Sequence, residues 1–188
     1  MNPDSNPMRF TTAVLILIGV FGSIGCAHAQ TTFRNPVIPG MNPDPSICRA
    51  GDDYYLVTST FEYFPGLPIY QSKDLVHWKL IGHALSRADS NPLAGCESST
   101  GGQYAATIRY HKGTFYVIGT NYGGEGTQGV FYVTATHPAG PWSRPHWLGC
   151  WYVVPSLLFA DDRVYYLSPD NQGSFLLGIL DLQTDTFD

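Results

Sequence analysis

Groups that could do chemistry are sparse in this chain, and the most conspicuous is Asp44. It stands between Pro43 and Pro45 in NPDPSICRAGDDYYLVTSTFEYFPG, the stretch from Asn42 to Gly66. A carboxylate at the mouth of an apolar strand is a candidate for meeting a ligand. Asn, Asp and Pro also build turns, so a turn-forming Asp44 is the alternative that the local pattern leaves open. Glu97 and Glu125 lie in loop-like sequence and read as solvated surface, as do Lys73, Arg109 and Arg144.

Metal chemistry has little to work with. The histidines, at 28, 77, 83, 111, 137 and 146, form no ligand-like pair, and the cysteine spacing resembles no zinc site. No metal or cofactor is expected. The first residues read as a secretory signal: Arg9, an apolar run from Phe10 to Ile24, then Ala27-His28-Ala29 with cleavage before Gln30. Residues 1–29 are therefore assigned to a signal peptide and the protein to an exported compartment, periplasmic or extracellular. Lipid attachment at Cys26 is the rival reading, weakened by Ser23 where an aliphatic residue is usual. The run is short for a bilayer span and nothing later matches it, so no membrane span is expected. Export permits disulfides. Of the cysteines beyond residue 29, Cys48 reads as a small buried hydrophobe, while Cys96 and Cys150 could bridge.

Composition narrows the class. The 188 residues are 44% hydrophobic and 14% aromatic, enough for one domain with a real core. A net charge of −5 with no Lys/Arg cluster lacks the footprint of a nucleic-acid binder.

The elements that must position Asp44 are visible in a repeat. DPSICRAGDDYYLVTS at Asp44, AATIRYHKGTFYVIGT at Ala105 and VPSLLFADDRVYYLSP at Val154 share one layout: small residue or proline, Ser or Thr, apolar strand, polar turn, aromatic strand. IYQSKDLVHWKLIG and FYVTATHPAGPWSRPHWLG match as second halves, and FLLGILDLQTDTFD begins a third. Strand-length runs broken by Gly, Pro and Asp predominate, without helical periodicity, which predicts an all-β fold. Four-strand units recurring every ~50–60 residues predict propeller blades rather than a sandwich. The partial propeller is assigned to residues 30–188, with blades at about 35–85, 100–149 and 150–188. In a propeller the first strand of each blade lines the axis, so Asp44, Ala105 and Val154 are expected at equivalent points of one funnel.

The stretch NPVIPGMNPDPSICRAGDDYYLVTSTFEYFPGLPIYQSKDLVHWKLIG, Asn35 to Gly82, resembles the first blade of glycoside hydrolase family 43, in its β-xylosidase and α-L-arabinofuranosidase branch. The likeness continues through GGQYAATIRYHKGTFYVIGT, FYVTATHPAGPWSRPHWLG and VPSLLFADDRVYYL. It implies a five-bladed propeller, present here as about two and a half to three blades, and inverting hydrolysis of xylosides or arabinosides of plant hemicellulose. The resemblance makes Asp44 the general base and puts Phe61, Phe64 and Tyr104 against the sugar. At two points the chain departs from the family pattern. Val154 stands where the family has the aspartate that tunes the acid, and the general-acid glutamate would come from a fourth blade, beyond Asp188. The expected partner is a xylo- or arabino-oligosaccharide, together with a chain that completes the propeller. Two alternatives stand beside hydrolysis: a non-catalytic carbohydrate-binding remnant, and a truncated product without independent function.

Overall fold

The computed structural model describes residues 32–87, 101–123, 128–150, 152–170 and 172–188. Twelve β-strands and no helix are found among them. They form three antiparallel four-stranded sheets, each joining consecutive strands. The first sheet holds β1 (Ser46–Ala50), β2 (Asp53–Val57), β3 (Gly66–Ser72) and β4 (Lys79–Leu85). β5 (Gly102–His111), β6 (Thr114–Tyr122), β7 (Gly129–Ala135) and β8 (His146–Trp147) make the second. The third comprises β9 (Ser156–Ala160), β10 (Arg163–Pro169), β11 (Phe175–Asp181) and β12 (Thr186–Phe187). FLLGILDLQTDTFD therefore completes a four-stranded sheet, though β12 is only two residues long.

The hairpin registers make the repeat quantitative. Ala50 pairs with Asp53, His111 with Thr114 and Ala160 with Arg163, each across a two-residue turn. Tight turns of this kind need positive φ, met by Gly51 in the first, Lys112-Gly113 in the second and Asp161-Asp162 in the third. Counting back from the turns aligns Ser46, Thr107 and Ser156, the hydroxyl residues of the repeat. Asp44, Ala105 and Val154 lie two residues earlier in each case.

The three first strands lie side by side, β1 against β5 and β5 against β9. The aligned hydroxyls stitch them together. Ser46 Oγ accepts from the Ile108 N–H at 3.2 Å, and Thr107 Oγ1 donates to the Pro155 carbonyl at 3.1 Å. Arg109 departs from the solvated charge expected of it. It is half-buried, and its guanidinium donates to the Leu157 carbonyl at 2.9 Å, the Ile108 carbonyl at 2.8 Å and Ser156 Oγ at 2.7 Å. Burial depresses its pKa, a cost that the neutral acceptors offset.

Alternation along each strand gives every sheet a forward face, toward the next sheet in chain order, and a rear face. Tyr55, Val57, Leu67 and Ile69 face forward from the first sheet and meet Ile108, Val117, Phe131 and Val133 on the rear of the second. A second core repeats the arrangement: Ile118, Val130 and Tyr132 meet Leu157, Tyr166 and Leu180. Phe131 is fully buried, and cutting it to alanine would cost about 3–5 kcal/mol. The outer rim of the second joint carries a polar clasp. Tyr132 donates its hydroxyl to Asp185, whose other oxygen lies 3.0 Å from His146 Nδ1, and the Tyr132 and His146 rings stack at 4.6 Å. Burial first, and the bond to Asp185 second, push the Tyr132 pKa up.

Cys48 packs against the first core, where burial pushes its thiol up to about 11. Cys150 is a free thiol. Cys96, Glu97, Glu125 and residues 1–29, for which a signal peptide is expected, lie outside the described residues.

Candidate active site

The chain enters β1 through a pinned corner. Asn42 Nδ2 donates to the Pro39 carbonyl at 3.1 Å, and the Tyr70 hydroxyl donates to Asn42 Oδ1 at 2.9 Å. The Ser59 N–H donates to the Pro43 carbonyl at 3.0 Å. Asp44 follows with φ of 52°. Aspartate tolerates this left-handed region better than most residues, because its short polar side chain can bond locally. Its carboxylate is exposed, and Ser59 Oγ, on a buried residue, donates to Oδ2 at 2.7 Å. One carboxylate oxygen is thus held by protein while the side chain faces solvent, which suits a group that must bind and deprotonate water.

The loop Thr60–Gly66 joins β2 to β3 and fixes the aromatic residues. Phe61 and Gln103 exchange backbone hydrogen bonds of 3.0 and 2.9 Å. Thr60 Oγ1 donates to Gln103 Oε1 at 3.0 Å and accepts from the Leu67 N–H at 3.2 Å. This approach needs glycine at two places. A Cβ on Gly102, at φ +116°, would stand 2.0 Å from the Phe61 carbonyl carbon, and one on Gly66 would stand 2.0 Å from Gln103 Oε1. The outcome is a ladder of rings: Phe61 meets Tyr104 edge-on at 5.2 Å, and Tyr104 meets Tyr122 edge-on at 5.2 Å. Phe64 stands on the same loop, 39% exposed.

Asp44, the Thr60–Gly66 loop, Tyr104 and Tyr122 all lie at the end of the sheets where first strands begin and second strands finish. Ser59 belongs to the same segment as Phe61, so the Asp44 carboxylate and the aromatic ladder are tied through a short piece of backbone. Val154 occupies the matching corner of the third sheet, with φ of 57° and 49% exposure. Ala105 instead falls within β5, where the register shifts between Tyr104 and Thr107. Positions 44, 105 and 154 therefore carry one carboxylate among them.

Sequence reasoning missed Ser59, Gln103 and Tyr122. Ser59 was within reach: the pairing of Ser46 with Val57, continued by two residues, sets Ser59 opposite Asp44. Gln103 and Tyr122 act through a contact between sheets, for which the sequence carries no local signal.

Comparison with known proteins gives the family. The profile described as "Glycosyl hydrolases family 43" matches residues 33–180. The non-reducing end α-L-arabinofuranosidase BoGH43B of Bacteroides ovatus is 73% identical over 174 residues, covering 93% of this chain and 33% of that protein. A xylosidase/arabinosidase of Butyrivibrio fibrisolvens is 50% identical over 138 residues, covering 71% of this chain and 26% of that protein. Among solved structures, the Bacteroides ovatus xyloglucan PUL GH43B superposes with a TM-score of 0.80 at 77% identity, covering 82% of this chain and 31% of that one. The xylan β-1,4-xylosidase from Bacillus halodurans C-125 gives 0.73 at 36% identity, covering 84% and 32%. The chain spans about a third of the length of such relatives. On the profile match and these identities together, the chain belongs to glycosyl hydrolase family 43.

Proposed function

We propose that this chain carries the water-activating half of an exported, inverting glycosidase acting on xylosides or arabinofuranosides of hemicellulose. The observation that carries the reading is the exposed Asp44 carboxylate, held through one oxygen by buried Ser59 beside the Phe61–Tyr104 wall. Asp44 takes the proton of a water that attacks the anomeric carbon, and the ring faces receive the apolar face of the sugar. Inversion needs a second carboxyl group, roughly 6.5–9.5 Å from the first, to protonate the departing oxygen. Positions 105 and 154 offer alanine and valine, so that acid comes from a further sheet outside the three described here.

A second reading is favoured by Val154 itself: with one carboxylate at three equivalent corners, the chain holds a sugar without cleaving it. Incubation with aryl xyloside and aryl arabinofuranoside separates the two. Turnover that Asp44→Asn lowers by about 10²–10⁴-fold supports hydrolysis. Sugar-dependent quenching of tyrosine and tryptophan fluorescence without product supports binding alone, and neither signal removes both.

A further inference from the structure

Gln103 is a polar side chain with no exposed surface, and it sits where the site is assembled. Its amide makes one bond: Oε1 accepts from Thr60 Oγ1 at 3.0 Å, while Nε2 is buried without a hydrogen-bond partner. Burying an amide donor that meets no acceptor costs stability, so packing alone would favour an unbranched apolar residue of the same length. A group of this kind calls for a use of the bond it does make.

That bond falls at a junction. Gln103 and Phe61 form an isolated two-bond bridge between the first and second sheets, with no ladder to either side of it. A single bridge leaves the segment on either side free to hinge about the pair. The bond from Thr60 to the Gln103 side chain lies off that bridge and removes the freedom. Thr60 Oγ1 accepts in turn from the Leu67 N–H at 3.2 Å, so one hydroxyl serves both ends of the loop. Gly66 clears the space: the nearest atoms to a Cβ there would be Gln103 Oε1 at 2.0 Å, Gln103 Cδ at 2.9 Å and Thr60 Oγ1 at 3.3 Å. The chain neighbours of the two bonded residues are parts of the site. Tyr104 follows Gln103, and Ser59, which donates to Asp44, precedes Thr60.

We propose that Gln103 is a positioning residue. Its side-chain bond to Thr60 holds Ser59, and through Ser59 the Asp44 carboxylate, in fixed register with the Phe61–Tyr104 wall. The consequence for turnover rests on the role of Asp44 proposed above, whereas the register rests on the hydrogen bonds, so the two fail separately.

Three variants of the 188-residue chain break the contact from different sides. Gln103→Met keeps length and bulk but removes the acceptor, Thr60→Val removes the donor, and Gly66→Ala displaces the amide. Hydrogen exchange followed by NMR reads the register. In each variant the Phe61 and Gln103 amides should exchange at least about tenfold faster, while the amides of β2 and β6 keep their wild-type rates. The denaturation midpoint of Gln103→Met should equal or exceed that of the wild type, since the unpartnered donor is gone. With aryl xyloside or aryl arabinofuranoside, kcat should fall about tenfold to a hundredfold at nearly constant KM, the mark of a displaced base rather than a lost binding contact. Gln103→Met combined with Thr60→Val should be no worse than either alone, because both remove the same bond. Unchanged exchange at Phe61 in Gln103→Met would overturn the proposal. So would uniformly faster exchange with a lowered midpoint, which is how a plain packing residue behaves, or a wild-type kcat in a variant whose Phe61 amide exchanges fast. Absence of turnover in the wild type counts against the Asp44 reading alone and leaves the exchange rates to decide the register.

Discussion

The entry corners of the first and third sheets share a backbone and differ in what they do with it. Asp44 and Val154 both precede Pro-Ser, both start a first strand and both adopt left-handed φ, 52° and 57°. At the first corner a carboxylate meets a hydroxyl, since Ser59 faces Asp44 and bonds it at 2.7 Å. At the third, the pairing of Ser156 with Leu167, continued by two residues, sets Pro169 opposite Val154. Proline brings no hydroxyl, and valine has nothing to accept one. A β-branched residue in the left-handed region is strained as well, by roughly 1–2 kcal/mol. The difference teaches that backbone geometry is set by the repeat, while the chemistry is written separately at each corner.

Four substitutions break or sharpen that contrast. Gly102→Ala attacks the wall that belongs to the first corner alone, driving a methyl into the Phe61 backbone, which cannot move aside as a flexible side chain would. It should cost about 3 kcal/mol in denaturant titrations, with loss of sugar-dependent fluorescence change. Asp44→Val turns the first corner into the third. It should cost about 2 kcal/mol, from left-handed strain and the lost Ser59 bond together. At the third corner, Val154→Asn should gain about 1 kcal/mol and raise the melting temperature by several degrees, because asparagine tolerates the conformation that valine resists. Ser59→Ala removes only the hydroxyl and should cost about 1 kcal/mol.

The smallest effect lies beneath the corner, at Cys48. Burial raises its thiol from about 9 to about 11. The folded state thus holds the thiol proton more tightly than the unfolded chain. Its contribution to stability is complete below pH 9 and fades as pH rises through 11. Iodoacetamide labelling of Cys48 should accordingly lag behind an unfolded control at pH 9 and catch up near pH 11.

Much of this fold could be read in advance because its signals are local. Two-residue turns, the aromatic pairs of the second strands and the Pro-Ser entries all lie within one hairpin, so a reader of the chain meets each whole. The correspondence of Asp44 with Val154 followed from that repeat. Arg109 could not be read the same way: its spacing resembles that of any surface arginine, and its burial depends on carbonyls of β9, some fifty residues on. Tyr122 escaped for a like reason, since its role arises from Tyr104 on a neighbouring strand and Phe61 on another sheet. What sequence conceals here is contact between sheets, which no single hairpin encodes.

The clasp of Tyr132, Asp185 and His146 has a mechanical consequence. Arg109 ties the second and third sheets together near the axis, and the clasp ties them again at the rim. A joint pinned at two radii cannot pivot, so these two sheets behave as one stiff wedge. The other joint takes its polar ties at the first strands and the Phe61 loop instead, where the Ile108 N–H meets Ser46 and Phe61 pairs with Gln103, so the neighbourhood of Asp44 is anchored to that same wedge.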